Sequence, residues 1–200
     1  MMITEIDKNT ALVLIDLQKG IAKDTVHPVK DVLAKAAILA NAFRLAGLPV
    51  VIVHVNPVGA DWAKARVEKP SAPQNTVLQT IAKVAMPITG FTDIVPEIII
   101  KPSDILIEKK TWNAFFNTSL HEQLQKLKVT GIVLGGISTS VGVEGTARAA
   151  SELGYNISFA SDATSDKILE AYNHSMTNIF PRIGEIGTTQ DIISHLPVGK

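Results

Sequence analysis

Ile132-Val133-Leu134-Gly135-Gly136-Ile137-Ser138-Thr139-Ser140-Val141-Gly142-Val143-Glu144 opens with an apolar run, crosses a turn of glycines and hydroxyls, and enters a helical pattern. Val143, Ala147, Ala150 and Leu153 continue that pattern on one face, and Gly154 stands where a helix commonly terminates. The segment is the end of a buried strand turning directly into a helix. Repeated along a chain, that unit builds a parallel sheet covered by helices.

The unit does recur. Ala11-Leu12-Val13-Leu14-Ile15, Val50-Val51-Ile52-Val53, Ile105-Leu106-Ile107 and Ile157-Ser158-Phe159-Ala160 are short apolar runs, and Ile183-Gly184-Glu185-Ile186 reads as a last short strand. Runs that are apolar throughout suit strands covered on both faces, as in parallel sheets. Between them, Val29, Val32, Leu33, Ala36, Ala40 and Phe43 recur at helical spacing until Gly47 and Pro49 stop the helix. Ser119 with Glu122 has the form of a capping box ahead of Leu120, Leu124 and Leu127. Leu169, Tyr172, Met176 and Ile179 mark a final helix ended by Pro181. The expected fold is α/β: a doubly wound, mostly parallel six-stranded sheet flanked by helices, formed by residues 1–200 as a single domain. From Pro57 to Pro102 the rhythm weakens, with Pro70, Pro73, Pro87 and Pro96 between. Such long irregular segments often serve as lids or partner-binding loops.

Composition narrows the function. Hydrophobic residues make up 46% of the 200-residue chain and charged residues 19%, as in ordinary globular proteins. The formal net charge of +0 supplies no overall field toward nucleic acid or anionic lipid. There is no cysteine, hence no disulfide and no thiolate metal site. No apolar run reaches the roughly 20 residues that span a bilayer. Met1–Asp7 lacks a basic n-region leading into an apolar stretch, so a cytoplasmic location is expected. His27, His54, His121, His174 and His195 show no paired ligand spacing, and neither a metal nor another cofactor is expected.

In open parallel sheets, ligands bind at the carboxyl ends of the strands. Asp16 directly follows the first run, as either a turn or cap residue or a carboxylate emerging at such an end. Lys109 and Lys110 close another strand, as solvated charges or as site cations. Trp112 and Phe115 are then core residues or a substrate platform. The Gly135–Gly142 turn either permits tight helix–sheet packing or uses its N–H groups as an anion site.

The order of these pieces carries more than any one of them. Ala11 through Gln18, then Lys109-Lys110-Thr111-Trp112-Asn113-Ala114-Phe115, then Gly136 through Arg148 resembles the three-motif series of the isochorismatase-like hydrolases over nearly the whole chain. The resemblance implies a helix-covered parallel sheet, a homodimer or larger homo-oligomer, and a non-proline cis peptide at Ile137–Ser138. It also implies an Asp–Lys–Cys triad, with Asp16 and Lys109 in the first two roles. Lys109 is chosen over Lys110 because the family's lysine stands six residues before the Phe matched by Phe115. Gln18, Asn56, Trp112, Phe115, Ser138 and Thr139 are the substrate-binding candidates, the N–H groups of Ser138 and Gly142 being expected to face the pocket.

Gly142 stands where most of the family has its cysteine. Without a nucleophile there, thiol-dependent amide hydrolysis is excluded; loss of a nucleophile costs on the order of 10⁶ in rate. His54-Val55-Asn56-Pro57 also lacks the Asp-x-His metal ligands of nicotinamidase-like members. Isochorismatases proper share the glycine. In them an aspartic acid protonates a vinyl ether, water adds to the cation, and the hemiketal collapses without a covalent enzyme intermediate. Asp16 is then the general acid, with Lys109 tuning it and holding an anionic small-molecule substrate; Asn56 falls where isochorismatases use Gln. The alternatives are a catalytically degenerate member that binds a small metabolite and a protein that acts through its oligomer surface.

Overall fold

The computed structural model describes residues 3–60 and 90–197. Pro70, Pro73 and Pro87 of the irregular stretch therefore lie outside the described residues. In chain order the elements are β1 (Thr10–Ile15), α1 (Val29–Leu45), β2 (Val50–Val55), β3 (Ile105–Lys109), α2 (Leu120–Lys126) and β4 (Gly131–Ile137). A π-helical turn, Thr139–Val143, leads into α3 (Glu144–Glu152). Then come β5 (Asn156–Ser165), α4 (Leu169–His174), β6 (Glu185–Gly187) and α5 (Thr189–Ser194). The sheet has six strands in the order β3-β2-β1-β4-β5-β6, and every neighbouring pair is parallel.

Period-two alternation sorts the strand residues into two cores. Leu12, Leu14, Val50, Ile52 and Val133 pack with Val32, Leu33, Ala36, Leu39, Ala40 and Phe43 of α1 and Ile192 of α5. Ala11, Val13, Ile15, Val51, Val53, Ile107, Ile132 and Leu134 pack with Leu120, Leu124, Val143, Ala147, Ala150 and Phe180. The sheet is thus sandwiched, and β1 is buried at every position. Strand order reverses between β1 and β4, and there a crevice opens beyond the carboxyl ends.

Several expectations are corrected. The edge strand β3 is not covered on both faces, since Leu106 and Glu108 are exposed. Ser119 precedes α2 but makes no side-chain cap bond; its hydroxyl accepts from Gln123 Nε2, and Glu122 pairs with Lys126 instead. Leu127 and Leu153 follow their helices as exposed residues rather than extending the buried faces. Pro181 does not end a final helix. It sits at the start of a 3₁₀ turn, Phe180–Arg182, where a missing N–H is tolerated, and α5 still follows. Among the described residues no helix is long and apolar enough to cross a membrane.

Candidate active site

Asp16 is the first residue beyond β1, with φ at 51°, a left-handed conformation that aspartate adopts more readily than most residues. Its N–H donates to the Val53 carbonyl and its own carbonyl accepts from Gln18 N–H, so the turn is pinned on both sides. Lys109 ends β3, two strands away, on the same sheet face as Ile107. Its side chain passes the end of β2, and Nζ lies 2.7 Å from Asp16 Oδ2. Nζ also donates to the Trp112 carbonyl at 2.7 Å. Asp16 is 4% exposed and Lys109 1%.

Burial disfavours both charges. It pushes the Asp16 carboxyl up to about 6, against the opposing pull of the Lys109 charge and hydrogen bond. It draws the Lys109 ammonium down, against the attraction of Asp16. Oδ1 of Asp16 is buried without a hydrogen-bond partner among the described residues. Buried carboxylate oxygens are normally satisfied, so an orphan beside a cavity is a place for a proton or a ligand atom.

Gly142 closes the arrangement from the π-helical turn. A Cβ built on it falls 2.8 Å from Ile15 Cγ2, 3.0 Å from Asp16 Oδ2 and 3.2 Å from Lys109 Nζ. The direct ion pair crowds the space that a side chain at this position would enter. Gly136 makes the approach of β4 possible: with φ at 128°, its Cβ would collide with the Ile15 carbonyl oxygen at 2.1 Å. The Ile137–Ser138 peptide is cis. The Ser138 carbonyl then accepts N–H bonds from Val141 and Val143, which winds the π-helical turn.

A cavity of about 380 Å³ opens here, lined by Asp16, Lys109, Trp112, Ser138 and Gly142 among others. Those five sequence candidates come together. Gln18, Asn56, Phe115 and Thr139 do not line it. Gln18 is fully buried, with Nε2 donating to the Val55 and Thr92 carbonyls and Oε1 accepting from Val55 N–H, so its amide is consumed in fastening β2. Asn56 Nδ2 donates to Glu108 Oε2. Phe115 stacks on Tyr155 at the second core. The buried Thr139 hydroxyl pairs with that of Thr164. Each belongs to the frame behind the cavity rather than to its wall.

Two neighbours escaped the sequence reading. β5 runs to Ser165 past a register shift opposite Leu134 and Gly136, which brings Asp166 and Lys167 to the cavity end of the sheet. Asp166 Oδ2 accepts from both the N–H and the hydroxyl of Ser140, at 2.7 and 2.8 Å. The available signal was the apolar Ala163 beyond the polar pair Ser161-Asp162, which marks continuation of the strand.

Residues 10–191 match the isochorismatase domain family. The chain belongs to the isochorismatase family. Isochorismatase family protein YecD of Escherichia coli O157:H7 is 40% identical over 192 residues, covering 94% of this chain and 97% of that one. Ureidoacrylate amidohydrolase RutB of Stutzerimonas stutzeri (strain A1501) is 30% identical over 176 residues, 78% of this chain and 69% of that one. The solved structure of an isochorismatase family protein from Burkholderia thailandensis matches with a TM-score of 0.81 at 36% identity, covering 96% of this chain and 97% of that chain. The cavity beside the switch point between β1 and β4 thus lies in an isochorismatase-family fold, with glycine at 142 in its lining.

Proposed function

We propose that this chain is an isochorismatase-family hydrolase that cleaves a small anionic substrate by acid–base chemistry, without a covalent intermediate on the enzyme. Asp16 is the general acid, Lys109 opposes the rise that burial gives its proton affinity, and Gly142, with no side chain, lets the two meet directly where a thiol would otherwise stand. The observation that carries this reading is the buried 2.7 Å contact between Asp16 and Lys109, with Asp16 Oδ1 unpartnered among the described residues beside the cavity.

A carboxyl titrating near 6 holds its proton often enough at neutral pH to donate it, and releases it readily to carbon or oxygen. With a vinyl ether, the Asp16 proton adds to the terminal alkene carbon and the ether oxygen stabilises the resulting cation. Water adds to that cation and returns a proton to Asp16. The hemiketal then loses its alcohol and leaves a ketone, so the net change is the addition of one water. Acid catalysis of this kind supplies about 10²–10⁴ in rate, and positioning of the substrate adds to it.

The test is a product-release screen of vinyl ethers, amides and esters bearing a carboxylate, run on the wild type and on Asp16→Asn. Release by the wild type alone supports the reading. Release that persists in Asp16→Asn overturns the role of Asp16. Ligand-induced thermal shifts with no product in any arm would make the protein a binding module instead.

A further inference from the structure

Among the described residues three lysines line the cavity, Lys109, Lys110 and Lys167, and Asp16 is the only carboxylate. Two of the three are matched: Lys109 by Asp16 at 2.7 Å, and Lys110 by Glu108 at 2.7 Å. Lys167 has no ion-pair partner among the described residues, so the described lining carries one unpaired positive charge, just beyond the end of β5. The apolar part of the lining, Ile21, Val55, Phe91, Trp112 and Ile137, supplies no competing acceptor side chain.

Lys167 is exposed, but its backbone is held in place. Asp166 is 3% exposed, and its carboxylate is divided between two walls. Oδ2 holds the Ser140 N–H and hydroxyl on the turn that carries Gly142. Oδ1 accepts the N–H groups of Lys167 and Ile168, at 2.7 and 3.2 Å. The Asp166 carbonyl accepts from Val26 N–H. One buried carboxylate therefore fixes the Lys167 backbone relative to Gly142 while its own charge is directed at N–H and hydroxyl donors.

We propose that Lys167 is the anion anchor of the cavity, its ammonium binding a carboxylate of the substrate while the reacting end lies against Asp16. This deepens the proposed function and rests on it for the identity of the reacting end. The ligand class is a small carboxylic acid, with an apolar portion against Trp112 and Phe91.

Two matched pairs, benzoate with benzamide and crotonate with crotonamide, test the anchor by titration into ¹⁵N-labelled protein, following the Gly142 and Trp112 signals. The wild type should bind each acid about tenfold more tightly than its amide, the advantage of a charge-assisted hydrogen bond at a partly exposed site. Lys167→Met should abolish that preference while its amide affinities stay within about twofold, and Lys167→Arg should keep it. No acid preference in the wild type, or one that survives in Lys167→Met, overturns the proposal, as does loss of the preference in Lys110→Met instead. The readout is independent of turnover. An acid preference that depends on Lys167, without product release from any substrate, leaves the anchor standing and removes the catalytic reading; turnover in a protein with no acid preference does the reverse.

Discussion

Lys109 Nζ lies 2.7 Å from Asp16 Oδ2 although β2 separates the strands that carry the two residues. Only a side chain as long as lysine, leaving β3 on the covered face of the sheet, reaches across the end of β2 to the residue that follows β1. The pair is buried, so neither charge is solvated by bulk water; burial has the larger influence on each proton affinity, and the partner's charge opposes it.

Asp16→Asn removes the transferable proton while keeping the shape and one oxygen for Lys109. On a substrate turned over by the wild type, kcat should fall by about 10²–10⁴ with KM within severalfold, since the amide still fills the site. Steady-state kinetics of the two proteins, with circular dichroism to show equal folding, checks this. An unchanged kcat would remove Asp16 from the chemistry.

The pH dependence carries a definite sign. A general acid must be protonated, so kcat/KM should be flat below about 6 and fall tenfold per pH unit above it. Lys109 lowers the Asp16 value, so Lys109→Met should move this falling limb to higher pH. Stability follows from the same shift. Between 3.8 and about 6 the folded chain holds a proton that the unfolded chain has released, so the Asp16 contribution to stability falls as pH rises through that window and is level above it. Urea midpoints measured from pH 4 to pH 7 should show this slope in the wild type and not in Asp16→Asn.

Gly142→Ala tests whether the ion pair needs the absent side chain. The new methyl would meet Ile15 Cγ2 at 2.8 Å, on a fully buried central strand that cannot retreat. Overpacking of this kind costs about 1–3 kcal/mol. The helical preference of alanine over glycine returns about 0.5–1 kcal/mol, so the net effect is destabilising. Displacing Asp16 or Lys109 also weakens their contact, and the falling limb of kcat/KM should move to higher pH. Guanidinium denaturation and a pH–rate profile of the variant read both effects.

The strands were legible because a parallel sheet buries both faces, leaving apolar runs such as Leu12–Ile15 that few other elements contain. The edge strand β3 was read as covered because three apolar residues do not reveal whether a neighbour lies on the outer side. For the site, chain position located Asp16 and Lys109, which emerge at strand ends, but not the wall to which each nearby side chain turns. Gln18, two residues after Asp16, and Thr139, next to Ser138, lie close to cavity residues in sequence and yet point into the frame. Asp166 and Lys167 went unread because Ser161-Asp162 interrupts the apolar run within β5. Asp162 is there for a local reason: it accepts from the N–H and hydroxyl of Thr189 at the start of α5.

Two capping-box spacings of this chain, at Ser119 and at Thr188, should separate under mutation. Ser119-x-x-Glu122 has the spacing without the hydrogen bonds, and its helix begins from a residue at φ −85°, ψ 4°, where the side chain does not reach the N3 amide. Thr188-x-x-Asp191 has both. Thr188 Oγ1 accepts from Asp191 N–H, and Asp191 Oδ2 accepts from Thr188 N–H, with the Thr188 backbone extended at φ −76°, ψ 165°. An extended N-cap residue turns its hydroxyl toward the free amides of the first turn, and a near-helical one does not. α5 also buries Ile192 against the first core, so fraying at its start reaches the sheet. Thr188→Ala should therefore lower the unfolding free energy by about 1 kcal/mol. Ser119→Ala should change it by less than about 0.5 kcal/mol, as for a surface site with no cap to lose. Denaturant midpoints at constant m-value decide the matter, and equal losses in the two variants would contradict the geometric distinction.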